Sequence, residues 1–153
     1  MPNFFYESDI GRIGITEKDG RITNVYISND ELPEDTLLYE TPLLKEAVKQ
    51  LKGYFAGELK EFSLPLEPTG TAFMKQVWSA LCEIPYGETA SYKDIAVKIG
   101  SPKAARAVGL ANNRNPIPIF IPCHRVIGAD GSLTGYRGGL EMKKKLLDLE
   151  KMK

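Results

Sequence analysis

Three prolines in the eight residues Asn115-Pro116-Ile117-Pro118-Ile119-Phe120-Ile121-Pro122 constrain this chain more than any other stretch. Each proline lacks a backbone N–H and locks φ, so no helix runs through the segment. Each residue ahead of a proline is pushed out of the helical region as well. The sequence therefore predicts an extended path here. That path ends at Cys123-His124-Arg125-Val126, which puts the only histidine of the chain beside one of its two cysteines.

Helical patterns surround the segment. Thr71 can cap a helix in which Phe73, Val77, Trp78 and Leu81 share a face, closed by Pro85-Tyr86-Gly87. Ser91, with Asp94 three residues on, is a shortened capping box ahead of a second helix that runs to Gly100. Ser101-Pro102 starts a third, to about Asn112, and two short helices joined by so tight a turn read as a helix-turn-helix. Beyond His124, a glycine-rich turn (Gly128, Gly131, Gly135, Gly138, Gly139) leads into a final helix carrying Leu140, Leu146, Leu147 and Leu149.

The N-terminal part is patterned differently. Phe4-Phe5-Tyr6, Gly11 to Thr16 and Ile22 to Ser28 are rich in β-formers, with a turn at Lys18-Asp19-Gly20, and they predict a small antiparallel meander. Residues 29–37 are acidic, contain Pro33 and read as a loop. From Thr41-Pro42, a helix places Leu43, Leu44, Ala47, Val48, Leu51, Tyr54 and Phe55 at helical spacing and ends at Gly57. Phe62 to Gly70, with two prolines, reads as a strand end plus a linker. The expectation is an α+β protein in two parts: residues 1–65, an antiparallel sheet with a helix, and residues 66–153, mainly helical with a helix-turn-helix.

Composition narrows the function. At 153 residues, 42% hydrophobic and 26% charged, the chain is an ordinary globular one, which excludes disordered and fibrous classes. Its longest strongly apolar stretch, Ile117 to Ile121, is too short to cross a bilayer, and MPNFFYESD lacks the basic flank and apolar run of a signal peptide. Two cysteines, Cys82 and Cys123, make no disulfide framework and point to the reducing cytoplasm. With one histidine, the usual zinc ligand set is missing, so neither a metal nor another cofactor is expected. The net charge of zero hides an asymmetry: residues 1–65 hold 7 Lys+Arg against 12 Asp+Glu, and residues 66–153 hold 13 against 8. The basic part is the candidate partner of a polyanion, with a solvated surface as the alternative.

Cys123 and His124 are the focus of any chemistry. A thiol attacks only once ionised, and a neighbouring imidazole or cation favours that. The plain alternative is a buried thiol beside an exposed imidazole. Adjacent side chains on a strand also point to opposite faces, so a working pair needs a turn at Cys123 or contact through water. Cys82, between Leu81 and Ile84, reads as packing. The third helix is slim, with Ala104, Ala105, Ala107, Gly109 and Ala111, and with Lys103 and Arg106 as its charges. Such a helix suits a minor groove about 6 Å wide, or else close packing against another helix.

Pro122-Cys123-His124-Arg125-Val126 resembles the active-site signature of the methylated-DNA–protein-cysteine methyltransferases, the O6-alkylguanine-DNA alkyltransferases. Pro85-Tyr86-Gly87, Ser91-Tyr92, Ala104 to Gly109, Asn115-Pro116, Gly135-Tyr136 and the final helix ending near Glu150 fall in that family's order, so the resemblance covers residues 70–150. Residues 1–65 fit the family's ribonuclease-H-like lobe in layout. The zinc that some members hold there does not carry over, because no Cys or His precedes Cys82.

The resemblance implies direct repair of double-stranded DNA by a monomer. The base is flipped from the minor-groove side, and its O6-alkyl group passes irreversibly, in one turnover, to Cys123. Glu150 would orient His124, which draws the Cys123 proton through a water. Tyr92 would donate a proton to the departing guanine, and Asn115 would brace the active-site turn against the helix-turn-helix. Arg106 resembles the arginine finger that fills the vacated stack. Ser91, Lys103, Ala105 and Arg125 are the other implied DNA contacts. Tyr136, Pro118, Val126, Arg137 and Gly138 are the implied substrate pocket. Two rival readings keep the helix-turn-helix without repair: a DNA-binding regulator, and a damage-recognition protein. A cysteine hydrolase keeps Cys123 and His124 but turns over many times.

Overall fold

The β-formers at the N-terminus pair as expected in a computed structural model that describes residues 2–8, 10–27, 30 and 37–151. Strands β1 (Pro2–Ser8), β2 (Gly11–Lys18) and β3 (Arg21–Tyr26) form an antiparallel meander with Phe5 opposite Gly14 and Ile15 opposite Val25. Asp19 and Gly20 both take positive φ, 52° and 78°, the geometry of a two-residue hairpin turn that matches strand twist. Ile13, Ile15, Ile22 and Val25 are buried.

A fourth strand, β4 (Leu37–Leu38), pairs in parallel with β1, giving the order β3-β2-β1-β4. Two residues are too short to leave a pattern in a sequence, and β4 begins on the last residue of the expected loop. The rest of that loop, apart from Asp30, lies outside the described residues.

Helix α1 (Pro42–Phe55) starts where Thr41 Oγ1 accepts a hydrogen bond from the Leu44 N–H at 3.1 Å, with Pro42 in the first turn. Its buried residues Leu44, Ala47, Leu51 and Tyr54 lie on the face toward β1 and β2. The Phe62–Gly70 stretch, expected as a strand end plus a linker, makes an isolated strand contact at Leu66. The Ile22 N–H donates to Pro65 O and the Glu67 N–H donates to Ile22 O, each at 2.8 Å, so this stretch continues the pairing of β3. The first compact unit accordingly runs Met1–Pro68, and the second Thr69–Lys153.

The second unit contains α2 (Ala72–Leu81), β5 (Ala90–Ser91), α3 (Tyr92–Lys98), α4 (Ala105–Asn113), a short β6 (Val126–Ile127) and α5 (Leu140–Lys151). Thr71 caps α2, and Ser91 and Asp94 form the expected reciprocal capping box of α3. The Trp78 indole N–H donates to Ala111 O at 2.9 Å, pinning α2 to α4 inside a core of Val77, Leu81, Ile95, Val108 and Ile117.

Three expectations change here. Helix α4 starts at Ala105 rather than Pro102, because residues 101–104 close a turn through the Ala104 N–H and Ser101 O. Cys82 is exposed rather than packed, because α2 stops at Leu81 and Cys82 is its C-cap. The proline segment is a tight buried turn and not an extended path. The Ile121 N–H donates to Ile117 O at 2.9 Å, and Ile119 holds φ at 75°. Prolines forbid helix but permit a turn, and this one buries Ile117, Ile119, Phe120 and Ile121 together. A β-branched residue in the left-handed region costs about 1–2 kcal/mol, and strain of that kind gathers at functional sites.

Candidate active site

The strained turn feeds directly into a single 3-10 turn, Cys123–Arg125, before β6 begins. This meets the objection to an adjacent Cys-His pair, since side chains in such a turn do not alternate between two faces. The Cys123 and His124 side chains are both buried.

Helix α5 brings Glu150 to them. Glu150 Oε2 lies 2.7 Å from His124 Nε2. The same carboxylate accepts from Arg125 Nε at 2.9 Å and Arg125 Nη2 at 3.0 Å, and from the Gly87 N–H at 3.3 Å. Gly87 reaches it at φ 82°, which is why the Pro85-Tyr86-Gly87 turn ends in glycine. Arg125 Nη1 donates to Ile84 O at 2.7 Å, and its guanidinium lies 5.7 Å from the centre of the Tyr86 ring. Arg125 is therefore not a DNA contact. Its charge is buried and spent on Glu150, a partner that lies far along the chain.

The protonation states follow from burial. Loss of water drives the His124 pKa down, against the opposing pull of Glu150. The imidazole is thus neutral near pH 7, and a neutral ring facing a carboxylate donates from Nε2. That leaves the basic lone pair on Nδ1, which has no hydrogen-bond partner among the described residues. Burial also pushes the Cys123 thiol up, while the neighbouring Asn115 amide and the charges of Arg137 and Lys143 pull it down. A resting thiol beside a neutral imidazole base is an arrangement that can ionise on demand.

Asn115 stitches the proline turn, donating from Nδ2 to Ile121 O at 2.8 Å and accepting from the Ile117 N–H at 2.9 Å. The direct tie from the helix-turn-helix to the reactive turn comes from Asn112 in α4, whose Nδ2 donates to Cys123 O at 3.3 Å. The sequence reading missed Asn112. Its signal was a polar residue one turn after Val108, on the inward face of α4.

Lys143 was missed too. Its side chain is fully buried, and Nζ donates to Val126 O and Thr134 O, both at 2.6 Å. Tyr92, the first residue of α3, shares a 2.8 Å hydrogen bond with the Thr134 hydroxyl.

A Cβ on Gly109 would sit 3.5 Å from the Tyr92 ring, an ordinary van der Waals distance, so α4 meets the first residue of α3 there without requiring a glycine. Lys103, Arg106 and Ala107 are exposed. Ser91 is occupied as a cap, accepting from the Asp94 N–H at 3.0 Å, while the start of α4 at Ala105 has no side-chain cap. Among the implied pocket residues, Tyr136 and Pro118 are buried, Arg137 is exposed and Gly138 is half-buried. Val126 has no exposed surface, so its side chain belongs to the core, and what it offers the site is its carbonyl, held by Lys143. Among the described residues, no cluster of three or more His, Cys, Asp or Glu is arranged to hold a metal ion.

Comparison with known proteins finds a family match for each unit. Residues 72–152 match the family described as 6-O-methylguanine DNA methyltransferase, DNA binding domain, and residues 3–68 match its ribonuclease-like domain. The constitutive methylated-DNA–protein-cysteine methyltransferase of Bacillus subtilis is 52% identical, covering 95% of this chain and 93% of its own length. The Methanosarcina barkeri protein of that name is 62% identical over 78% of this chain and 75% of its own. A crystal structure of Mycobacterium tuberculosis OGT in complex with DNA superposes with a TM-score of 0.94 at 47% identity, covering 99% of this chain and 94% of that one.

Proposed function

The chain belongs to the 6-O-methylguanine DNA methyltransferase family, and from that membership we propose how its own residues carry the reaction. The protein repairs DNA directly, moving an alkyl group from O6-alkylguanine to a cysteine of its own. The acceptor is Cys123. The observation that carries this assignment is the buried Cys123-His124 turn backed by the Arg125-clamped carboxylate of Glu150.

In the reaction the thiol proton passes by way of a water to His124 Nδ1, and Glu150 stabilises the imidazolium that forms. The Cys123 sulfur displaces guanine at the saturated carbon, one C–O bond breaking as one S–C bond forms. Tyr92 supplies a proton to the leaving base, and His124 later returns its proton to the site. Balanced, a thiol and an O6-alkylguanine become a thioether and guanine. A thioether has no good leaving group, so each molecule acts once.

The base must leave the stack to reach a buried sulfur, at a cost of a few kcal/mol. Arg106, exposed near the start of α4, fills the gap it leaves from the minor-groove side. Lys103 and the uncapped amides at Ala105 hold phosphates there, so binding weakens with salt. Both cysteines are free thiols, which fits work in the reducing cytoplasm. The decisive experiment is intact mass after incubation with O6-methylguanine DNA. A gain of about 14 Da, mapped to Cys123, is the expected result of replacing S–H by S–CH3. An unchanged mass with retained DNA binding would return the protein to the regulator or damage-recognition reading.

A further inference from the structure

We propose that Thr134 is the positioning residue of the leaving-group step: its hydroxyl donates a hydrogen bond to the Tyr92 phenol oxygen, which frees the phenol proton for the departing base and supports the phenolate that remains. This rests on Tyr92 being the proton donor.

Two hydroxyls meet here, apart from the Cys123-His124-Glu150 chain. The Tyr92 phenol oxygen and Thr134 Oγ1 lie 2.8 Å apart, and the Thr134 carbonyl is 3.3 Å from the same phenol oxygen. The fold sets Tyr92 beside the reactive turn. It opens α3 directly after β5, and β5 pairs with the strand that follows that turn, Ala90 opposite Val126 and Ser91 opposite Ile127. Thr134 lies on the loop between β6 and α5. Its carbonyl accepts from Lys143 Nζ at 2.6 Å, and a Cβ on the next residue, Gly135, would meet the Asn113 amide of α4 at 3.0 Å. The backbone that carries the Thr134 hydroxyl is thus held in place.

Protons and acceptors decide which hydroxyl donates. Each of the two groups has one proton. If Tyr92 donated to Thr134 Oγ1, the phenol proton would be tied down, and the Thr134 proton would have no protein acceptor among the described residues. If Thr134 donates to Tyr92, both protons have a place. The phenol proton then faces the Thr134 carbonyl, a long 3.3 Å contact to an oxygen that already takes the 2.6 Å bond from Lys143. Such a contact is readily given up, so that proton is the one a flipped base can take.

In the transfer step the Tyr92 O–H bond breaks and its proton bonds to the base, as the S–C bond replaces the C–O bond. Thr134 keeps its own proton throughout. The phenolate is an anion in a half-buried site, and a hydroxyl already aimed at its oxygen stabilises it without reorganisation. The proton that His124 drew from Cys123 returns through water to restore the phenol, so the sum remains thiol plus O6-alkylguanine to thioether plus guanine.

The test compares two reactions at Cys123 that differ in their leaving group. Free O6-benzylguanine releases a base that needs a proton, and methyl iodide releases iodide, which needs none. Single-turnover rates are read by mass and mapped to peptides, because the exposed Cys82 also reacts with methyl iodide. Thr134→Val removes the hydroxyl and keeps the shape. It should slow benzyl transfer about ten- to hundredfold, the effect of losing one hydrogen bond to a charged group. Methylation of Cys123 by methyl iodide should be unchanged. Thr134→Ser keeps the donor and should recover most of the benzyl rate. An equal loss in both reactions makes Thr134 a support of the nucleophile or of the fold and overturns the proposal. So does a Thr134→Ser variant as slow as Thr134→Val. Thr134→Ala removes the same hydroxyl and gives the same comparison where Thr134→Val does not fold.

A double variant separates this from failure of the reading beneath it. Tyr92→Phe should be slow with O6-benzylguanine, and adding Thr134→Val should cost nothing more, because the hydroxyl then has no phenol oxygen to bond. A further loss in the double variant overturns the proposal. Tyr92→Phe at the wild-type rate sinks Tyr92 as the donor. A slow Tyr92→Phe beside a Thr134→Val at the wild-type rate sinks only the role of Thr134.

Discussion

Arg125 and Glu150 form a bidentate pair, Nε to Oε1 at 2.9 Å and Nη2 to Oε2 at 3.0 Å, and both side chains are nearly solvent-free. The pair joins the reactive turn to the last turn of α5. Its effect on catalysis is indirect. A carboxylate clamped by a guanidinium keeps one charge and one orientation, and His124 inherits both through its 2.7 Å contact.

Glu150→Gln should therefore cost stability and rate together. It leaves the Arg125 charge buried without its partner, a loss of about 3–5 kcal/mol, which lowers Tm by about ten degrees in a chain of this size. Asp148→Ala breaks the exposed pair with Lys144 and should change stability by less than about 1 kcal/mol. Thermal unfolding of the two variants side by side checks this. A Tm for Glu150→Gln as close to wild type as that of Asp148→Ala contradicts the clamp.

Cys123→Ala should bind DNA and transfer nothing, while Cys82→Ala should keep both properties because Cys82 is an exposed C-cap. Gel electrophoresis with alkyl-labelled duplex reads both at once. Label retained in Cys123→Ala is the outcome that removes Cys123 from the mechanism.

How far the sequence could be read depended on whether a residue's cause was local. Thr71 and Ser91 cap helices through bonds to residues three positions on, so their roles were visible. Asp19-Gly20 announced its own turn. Arg125 was misread because a basic residue beside a DNA-repair signature looks like a phosphate contact, and its partner lies 25 residues away. Lys143 hid in Lys143-Lys144-Lys145, a run that looks solvated. Only helical phase separates the first lysine, which is buried, from the two exposed ones. Ile119 gave no signal at all, because a β-branched residue at positive φ is what packing imposes against local preference.

Arg106→Ala should slow repair in duplex DNA at least tenfold and leave transfer from the free base within about twofold, since only the duplex demands flipping, which costs a few kcal/mol. Arg106 is exposed, and its removal leaves the buried core untouched. Parallel single-turnover rates on the two substrates decide the matter. Equal losses on both make Arg106 structural.

Chelation should change neither activity nor Tm. The chain has one histidine, and Cys123 is the proposed alkyl acceptor. Elemental analysis of purified protein, followed by treatment with a strong chelator, is sufficient. Stoichiometric zinc lost together with stability contradicts the expectation.

The last prediction concerns the size of the alkyl group. Gly138 is half-buried in the turn Gly135-Tyr136-Arg137-Gly138-Gly139. Glycine there has two possible causes, backbone freedom or open space. Gly135 and Gly139 take positive φ, 31° and 97°, but Gly138 does not. Left-handed backbone is therefore not what requires it, and open space becomes the cause to test. Groups as large as benzyl should be accepted, and Gly138→Trp should reduce benzyl transfer at least tenfold more than methyl transfer, a difference of about 1.4 kcal/mol in the barrier. Arg137 is the complication, because its exposed side chain is long enough to close over the same opening. Arg137→Ala in the wild-type background isolates that effect: if the arginine closes the entrance, its removal raises benzyl transfer and leaves methyl transfer in place. Competition between O6-benzylguanine and methylated duplex tests the entrance directly, and a wild-type protein that ignores the benzyl compound rules out the open entrance.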